Sequence, residues 1–384
     1  MTTKAPIPDA QVGVAFNRDG EIASFAEGLA DPAAGRAVSP DDPVRIASIS
    51  KLIVGIGVMK LVEAGKLDLD ADASSYLGWT LRNPVFPDRA INLRMLLSHT
   101  SSVRDHDDQY AIPLGGSVRE AMTDRKSWDL HHGPGSNYFF YSNMNFPIVG
   151  SIIERVTAER FDIWMRREVL DPMRIDGCYN WPTCSDDAVA RAVVLMQDGK
   201  AVRDDLKGKR PDCPVFVRDG EPCDLGPYRP GENGSLFSPQ GGLRISARGL
   251  SRVGRMMLGD GLLDGARILS PASVSALVTP VWQYDGRNGV TEKGLYCSYG
   301  LATAQIPTAR PGCADDPGTQ GAILVGHAGD AYGVRSGLWI DRARDTGIAY
   351  FVTGLPADPP RRPGTAFRAA EQDAFRRTLG LMRP

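Results

Sequence analysis

The sequence predicts an α+β protein, with strands near both chain ends and helices between them. Residues 11–16 partly alternate between apolar and polar side chains, and a turn over 17–20 predicts a hairpin to a second strand over 21–28. Residues 66–175 show few alternating runs and favour helices. Three further strands are predicted near the C-terminus, at 321–327, 334–340 and 346–353.

A long helix is predicted over 46–64, with apolar residues in nearly every direction around its axis. That pattern is typical of a buried central element. Ser48 and Lys51 lie near its start, and a spacing of three places both side chains on one helix face. Burial would lower the pKa of Lys51, which a catalytic base requires, and an amine beside a serine can activate its hydroxyl. The structural alternative is Ser48 as an N-cap with a solvated lysine behind it.

The remaining helices and loops follow in chain order. Short helices are predicted at 91–97, 145–156 and 161–170, then at 247–258 and 367–379. Residues 178–240 are rich in proline, glycine and charge, and their periodicity is weak. A loop region of that length in a compact protein is usually functional, so we expect a lid or a wall of a binding cleft there.

Composition excludes several classes of partner. The 384 residues carry a net charge of -2 and a pI near 6.2, which gives no electrostatic footprint for nucleic acid or an anionic membrane. No apolar run is long enough to cross a bilayer. Residues 1–10 show no export signal. The oligomeric state stays open.

The six cysteines fall in neighbouring twos and leave the compartment open. They are Cys178 and Cys184, Cys213 and Cys223, and Cys297 and Cys313. Disulfides would indicate a periplasmic or secreted protein, whereas six reduced thiols would indicate a cytoplasmic one. None of the spacings is that of a zinc site.

A second segment with catalytic side chains ends in Tyr141-Ser142-Asn143, the only Tyr-x-Asn in the chain. A phenol beside a lysine and a serine can act as a general base if nearby positive charge lowers its pKa. The Asn143 amide can bridge the lysine and a substrate carbonyl. The structural alternative is a core tyrosine followed by a helix-capping asparagine.

A third segment, Val325 to Asp330, lies on a predicted strand. The edge of such a strand can offer a backbone N–H to a developing oxyanion, together with the N–H of Ser48. His327 is then expected to face the cleft as a polar or cationic substrate contact. The alternative is a partly buried histidine satisfied by one hydrogen bond.

Taken in order, Ser-x-x-Lys, Tyr-x-Asn and His-x-Gly resemble the motifs of the penicillin-recognising serine hydrolases. The branch that this chain resembles contains class C β-lactamases, D-Ala-D-Ala carboxypeptidases, family VIII carboxylesterases and D-amino-acid amidases or peptidases. The resemblance implies an antiparallel sheet flanked by helices, with one lobe formed by residues 1–65 and 241–384. A mainly helical lobe, 66–240, would be inserted between them.

The resemblance also implies a role for each site residue. Ser48 would be the acylated nucleophile, Lys51 its proton-relay partner and Tyr141 the general base, with Asn143 orienting Lys51 and the substrate. The backbone N–H groups of Ser48 and Asp330 would form the oxyanion hole. His327, Ala328 and Gly329 would bind substrate. No cofactor or metal is implied.

Two departures from the family pattern bear on function. His327-Ala328-Gly329 replaces the Lys-Thr-Gly usual in class C β-lactamases, which favours an esterase, amidase or peptidase acting on a small or peptide-like substrate. A true β-lactamase and a penicillin-binding or sensor module that acylates without turnover remain the alternatives. In addition, Ser102 replaces the glycine of the usual His-Thr-Ser-Gly, so the backbone there can differ.

Overall fold

The computed structural model describes residues 9–382. Most of residues 1–10, in which no export signal is predicted, therefore lie outside the described residues. A nine-stranded sheet forms its centre. Its strands are β1 Ala10–Asn17, β2 Glu21–Asp31, β3 Arg36–Ala37, β4 Trp282–Gln283, β5 Ser298–Tyr299, β6 Ala304–Ile306, β7 Leu324–Ala331, β8 Val334–Asp341 and β9 Thr346–Thr353.

Both chain ends contribute to this sheet. The strand order is β4-β5-β6-β7-β8-β9-β1-β2-β3, and every neighbouring pair is antiparallel. The N-terminal hairpin joins the C-terminal strands through β1 and β9, where Ala10 pairs with Thr353 and Asn17 with Thr346. The expected fold is therefore confirmed, although β7 begins and ends a few residues later than the prediction of 321–327.

Helices cover both faces of the sheet. The longer ones are α1 Ser50–Glu63, α2 Asn145–Thr157, α3 Ala247–Leu258, α4 Pro271–Val278 and α5 Ala369–Gly380. Along β9, Ala349 and Phe351 belong to the core that includes α3, whereas Ile348, Tyr350 and Val352 belong to the core beneath α5. Because side chains alternate between the faces, a strand buried on both sides reads as a continuous apolar run.

The helix that carries Lys51 is central, as its apolar pattern predicts. Nearly all of α1 is buried, including Lys51. The predicted helix over 46–64 begins instead with a 3-10 turn, Ala47–Ile49, which leads directly into α1. The Ser50 hydroxyl donates to the Ala47 carbonyl oxygen at 2.7 Å and accepts from the Leu243 N–H at 3.1 Å, so the turn is fixed by its own side chain and by a distant segment.

Apart from α2, the elements of residues 66–240 are shorter than those near the ends of the chain. The short helices are Ser74–Leu77, Leu93–Leu97, Val118–Ala121, Phe161–Met165 and Asp186–Ala190, with a π-helical turn at Arg166–Leu170 and 3-10 turns at Arg125–Ser127 and Trp181–Thr183. The paired strands outside the main sheet are Val44–Arg45 with Arg244–Ile245, Phe139–Phe140 with Gly289–Val290, Leu195–Gln197 with Lys200–Arg203, and Leu262–Leu263 with Ala266–Arg267. Within 178–240 the only regular elements are short, in keeping with the predicted loop region.

All six cysteines form disulfides between sequence neighbours: Cys178–Cys184, Cys213–Cys223 and Cys297–Cys313. Two of these lie within or at the border of the loop region, where each closes a short loop. Across residues 9–382, every helix falls short of the length and apolarity needed to cross a bilayer.

Candidate active site

Ser48 lies in the 3-10 turn before α1, at the floor of a cleft. The preceding residue, Ala47, has a φ of +49°, a left-handed conformation that is uncommon for a residue with a side chain. Such strained backbone persists only where the surroundings impose it, and it clusters at functional sites. Here the turn brings Ser48 to the floor of the cleft, while its neighbours Ala47 and Ile49 are buried.

Lys51 is fully buried and its amine contacts three oxygen atoms. Its Nζ lies 3.0 Å from Ser48 Oγ, 2.8 Å from Asn143 Oδ1 and 2.7 Å from the carbonyl oxygen of Gln240. Burial lowers the pKa of Lys51 to about 7, and the charge of Asp105 opposes that shift. An amide oxygen and a carbonyl oxygen only accept hydrogen bonds. A neutral amine that donates its two protons to them therefore directs its lone pair at the Ser48 hydroxyl.

The Tyr-x-Asn segment is held in place by one carboxylate. Asp105 accepts from the Ser142 hydroxyl at 2.7 Å, from the Asn143 N–H at 2.7 Å and from the Met144 N–H at 3.1 Å. These donors lie at the start of α2, where the free N–H groups of a helix favour an anion. Asp105 thus fixes the backbone on both sides of Asn143 and aims its amide at Lys51.

Tyr141 lies beside the lysine, but its pKa differs from the expectation. The Lys51 Nζ is 5.0 Å from the centroid of the Tyr141 ring. Burial raises the pKa of Tyr141 above its ordinary value, and the side chains of Ser48 and Tyr296 lower it only in part. A role for Tyr141 as general base requires positive charge to lower that pKa, and burial outweighs any such effect. Of the two candidate bases, Lys51 is therefore the one whose pKa suits neutral pH.

The opposite wall of the cleft is the outer part of β7. A Cβ on Gly329 would lie 2.2 Å from the carbonyl oxygen of Ile46, so only glycine allows the strand to approach the Ser48 turn this closely. The Ser336 hydroxyl donates to the same Ile46 oxygen at 2.8 Å. Ala328, Gly329 and Asp330 all line the cleft next to Ser48. Ser48 and Asp330, whose N–H groups are expected to form the oxyanion hole, therefore both border the same cleft.

His327 does not line the cleft, contrary to the expectation of a polar or cationic substrate contact. Its side chain is fully buried; Nε2 lies 2.8 Å from the Tyr299 hydroxyl and Nδ1 lies 2.5 Å from the carbonyl oxygen of Ala328. Burial lowers the pKa of His327 to about 3, so the ring is uncharged at neutral pH. Successive side chains of a strand point to opposite faces of the sheet. Ala328 borders the cleft, so its neighbour His327 points away from it into the core.

The cleft has a volume of about 600 Å³. Its lining includes four arginines, Arg45, Arg335, Arg361 and Arg368, and the buried Glu371. Burial lowers the pKa of Arg335 to about 10, and the charges of Arg368 and Arg361 lower it further while Glu371 opposes them. Burial also raises the pKa of Glu371 to about 7. Asp330 pairs with Arg335 and Asp358 with Arg368, so most of the charge of Arg335, Arg361 and Arg368 is offset by carboxylates.

Several functional contacts were not found by sequence reasoning. The Gln240 carbonyl is a backbone group and leaves no signal in the residue type. Asp105 lies 36 residues before Tyr141, with no spacing rule to connect them. Tyr296 and His99 pack on the two faces of the Tyr141 ring, and only His99 belonged to a segment that resembled the family. In residues 9–382, no three His, Cys, Asp or Glu side chains converge as metal ligands.

Ser102 adopts a backbone conformation in which glycine is favoured. Its φ is +65°, in the left-handed region that favours glycine. The Asn83 amide donates to the Ser102 hydroxyl at 3.1 Å, and the Asp129 N–H donates to the Ser102 carbonyl oxygen at 2.8 Å. These contacts hold the serine in a conformation it would otherwise disfavour.

The sheet, the buried helix α1 and the Ser48–Lys51 pair define the class of serine hydrolases that have the β-lactamase fold. The chain belongs to the Beta-lactamase family, because the family model of that description matches residues 7–373. It is 27% identical over 279 residues to penicillin-binding protein 4 of Amycolatopsis lactamdurans, an alignment covering 72% of this chain and 66% of that protein. It is 30% identical over 179 residues to the lovastatin esterase of Penicillium rubens, covering 40% of this chain and 44% of the esterase. The chain thus spans less than two thirds of the length of either relative.

Solved structures show the same fold at low sequence identity. A class C β-lactamase from Rhodobacter sphaeroides superposes with a TM-score of 0.67 at 15% identity, covering 97% of this chain and 94% of that one. The D-amino acid amidase from Ochrobactrum anthropi SV3, complexed with D-phenylalanine, gives 0.67 at 16% identity, covering 98% and 94%. At these identities the likeness extends to the fold alone.

Proposed function

We propose that the protein hydrolyses an ester or amide bond through an acyl-enzyme on Ser48. The observation that carries this proposal is the Lys51 amine, which lies 3.0 Å from Ser48 Oγ while its other two contacts are acceptors only. A serine hydroxyl is a weak nucleophile until a neighbouring base takes its proton. The buried Lys51, with its pKa lowered to about 7, is such a base at neutral pH.

The proposed acylation step moves one proton around the site. Ser48 Oγ attacks the scissile carbonyl as its proton passes to Lys51 Nζ, and the N–H groups of Ser48 and Asp330 stabilise the oxyanion. Tyr141 then gives its proton to the leaving oxygen or nitrogen as the scissile bond breaks, and recovers a proton from Lys51. Asn143 holds the lysine throughout. The reverse sequence, with water in place of the leaving group, hydrolyses the acyl-enzyme.

The arginine-lined part of the cleft favours substrates that carry a carboxylate. Arg335, Arg361 and Arg368 line one cavity with Ser48. Arg335 pairs with Asp330 and Arg368 with Asp358, whereas no carboxylate among residues 9–382 forms an ion pair with Arg361, which is therefore the first contact expected for a substrate carboxylate. Guanidinium groups bind carboxylates in a fixed two-pronged geometry. A peptide-like amide with a free carboxylate, or an ester of a dicarboxylic acid, would satisfy this cluster. The fold shared with a D-amino acid amidase and the similarity to an esterase support cleavage of an amide or an ester.

The test is a substrate panel read by both turnover and protein mass. It compares p-nitrophenyl esters, D-amino-acid amides, dipeptides with and without a free C-terminal carboxylate, and nitrocefin. We expect turnover of an ester or amide, a transient mass increase on Ser48 and complete loss of both in Ser48→Ala. Ser136→Ala, a change at an exposed serine, is the matched control. Turnover by Ser48→Ala would overturn the proposal.

The alternatives give different results in this panel. Rapid nitrocefin turnover would identify a β-lactamase, and a stable adduct without turnover would identify a penicillin-binding or sensor module. The neutral, buried His327 stands where a class C β-lactamase usually has lysine, so the first result is not expected.

We further propose that the protein works in an oxidising compartment, periplasmic or extracellular. Three disulfides account for all six cysteines, and disulfides persist where thiols are not kept reduced. Thiol titration of protein purified without reductant tests this: we expect no reactive thiol, and six would overturn the proposal.

A further inference from the structure

The Tyr141 ring is the middle member of a stack of three. On one face the His99 ring lies 4.3 Å away between centroids, with an interplanar angle of 27°, and on the other the Tyr296 ring lies 4.9 Å away at 7°. We call these three residues the ring stack. Parallel aromatic contacts of this kind contribute beyond the area they bury. The stack leaves the Tyr141 ring little freedom to move relative to Ser48.

Each outer ring is anchored independently. His99 accepts at Nδ1 from the Ser142 N–H, at 3.1 Å, and lies 3.1 Å from the Asn145 amide nitrogen, so it is tied to the same segment as Tyr141. Tyr296 is held by its N–H bond to the Thr291 carbonyl oxygen at 3.0 Å and by the adjoining disulfide of Cys297. Tyr296 also lines the cleft, and its ring is 5% exposed.

The two phenols of the stack influence one another. Among residues 9–382 the buried Tyr141 hydroxyl makes no hydrogen bond of ordinary geometry. Burial raises the pKa of both phenols; the side chain of Ser48 and then that of Tyr296 lower the pKa of Tyr141 in part, and Tyr141 raises that of Tyr296 further. A phenolate can only accept a hydrogen bond, so when Tyr141 has lost its proton the donor of the pair must be the Tyr296 hydroxyl. In free enzymes such bonds are often long and tighten as the reaction proceeds.

The rest of the site leaves the Tyr141 oxygen in need of a donor. The residue at the first position of His-Ala-Gly is an uncharged histidine whose Nε2 contacts Tyr299. The ring of His327 lies 6.2 Å from that of Tyr141 between centroids, and it carries no charge that could stabilise a phenolate. Lys51 Nζ lies 5.0 Å from the centroid of the Tyr141 ring. In the proposed mechanism it carries the Ser48 proton and returns a proton to Tyr141 only after the leaving group has taken one, so the Tyr141 oxygen is unprotonated in the interval.

We propose that Tyr296 is a positioning residue for Tyr141: its ring holds Tyr141 against His99, and its hydroxyl donates a hydrogen bond to the Tyr141 oxygen while that oxygen lacks its proton. The inference rests on the proposed function, in which Tyr141 protonates the leaving group. Tyr296 keeps its own proton throughout. The bond would be strongest when Tyr141 has released its proton, because a donor binds an anion more tightly than a neutral hydroxyl.

The test separates the ring from the hydroxyl and varies the leaving group. Phenyl butyrate and p-nitrophenyl butyrate share an acyl group, but only the poorer leaving group, phenolate, needs a proton from Tyr141. We expect Tyr296→Phe to lower kcat/KM for phenyl butyrate about tenfold, as for the loss of one hydrogen bond to an ionised group. The p-nitrophenyl ester should change less than about threefold, because its bond breaks without that proton. Tyr296→Leu, which removes the ring as well, should lower both.

Controls make the result specific. Tyr284→Phe removes a hydroxyl that donates to the Gly286 carbonyl oxygen outside the site, and should leave both esters unchanged. In a Tyr141→Phe background, Tyr296→Phe should have no further effect on phenyl butyrate. If Tyr296→Phe lowers kcat/KM equally for both esters, or for neither, the role of Tyr296 is overturned while the proposed function stays intact. If Tyr141→Phe itself leaves phenyl butyrate hydrolysis unchanged, the role proposed for Tyr141 fails with it.

Discussion

The two walls of the cleft are built on different principles. On the helical wall, the side chains of Ser48, Lys51 and Asn143 are joined by hydrogen bonds through the Lys51 amine. On the strand wall, the polar side chain of His327 is buried, and the cleft is bordered by Ala328 and by the backbone of Gly329. In the proposed mechanism, one wall contributes side-chain chemistry and the other the shape and dipoles of the main chain.

This difference explains which substitutions each wall can tolerate. A side chain that transfers a proton has no substitute of another chemical type, so a change on the helical wall should remove activity. A wall made of backbone tolerates a change in chemistry at a side chain that points away, but not a change in volume at a close contact. The following predictions test that division, beginning with the largest expected effect.

Lys51→Met should lower kcat by about 10³-fold or more, because it removes the base and leaves the Ser48 proton without an acceptor. Methionine approximates the length of lysine and has no charge to desolvate, so the fold should be retained. The measurement is kcat for the best ester of the panel. Lys66→Met, at an exposed lysine beyond the end of α1, is the matched control. Near-normal turnover by Lys51→Met would show that the helical wall does not operate as described.

Tyr141→Phe should lower kcat/KM by about 10²-fold for an amide or a phenyl ester, in the range expected for a group that transfers a proton. The ring stack is preserved by phenylalanine, so the loss is attributable to the hydroxyl. Tyr138→Phe, three residues earlier, provides the comparison. If both variants retain full activity, Lys51 alone handles the proton and Tyr141 serves only in packing.

Gly329→Ala should lower activity about tenfold by displacing the Ser48 turn. The added Cβ would lie 2.2 Å from the Ile46 carbonyl oxygen and 2.2 Å from Ser336 Oγ, too close for either. Overpacking of this kind typically costs about 1–3 kcal/mol in the free energy of unfolding. Activity and urea denaturation would both be measured. The control is Gly20→Ala, which has open space around its new Cβ and should change neither activity nor the free energy of unfolding. If Gly329→Ala is equally unaffected, the strand wall can move to accommodate the added methyl group.

Most of the fold could be predicted because its elements have strong local patterns. The hairpin of β1 and β2, the helix Ala247–Leu258 and the strands β8 and β9 all lie where alternation and helical periodicity place them. The start of the Ser48 helix could not be predicted, because the 3-10 turn and the left-handed Ala47 depend on contacts with residues near 243 and 336. Local sequence does not encode such contacts.

The same reasoning applies to the site. Ser48, Lys51, Tyr141 and Asn143 were found because side-chain chemistry limits the residue types and their spacing leaves a motif. His327 was misplaced because a motif fixes a strand position but not which sheet face is buried. The arginine cluster and Tyr296 come from distant segments that no spacing rule connects. The Gln240 contact to Lys51 is made by a carbonyl, which any residue type would supply.

His327→Gln gives the smallest expected effect and the sharpest contrast with Lys51. Glutamine can accept a hydrogen bond from the Tyr299 hydroxyl, so kcat/KM should fall less than about tenfold. The pH dependence separates the two walls. Lys51 accepts a proton only when neutral, so kcat/KM should rise as pH increases through its pKa of about 7 and fall below it. The pKa of His327 is about 3, far outside that range, so His327→Gln should leave the midpoint of the rise unchanged. A shift of that midpoint by His327→Gln would mean that the histidine takes part in the titration, and that the strand wall contributes side-chain chemistry after all.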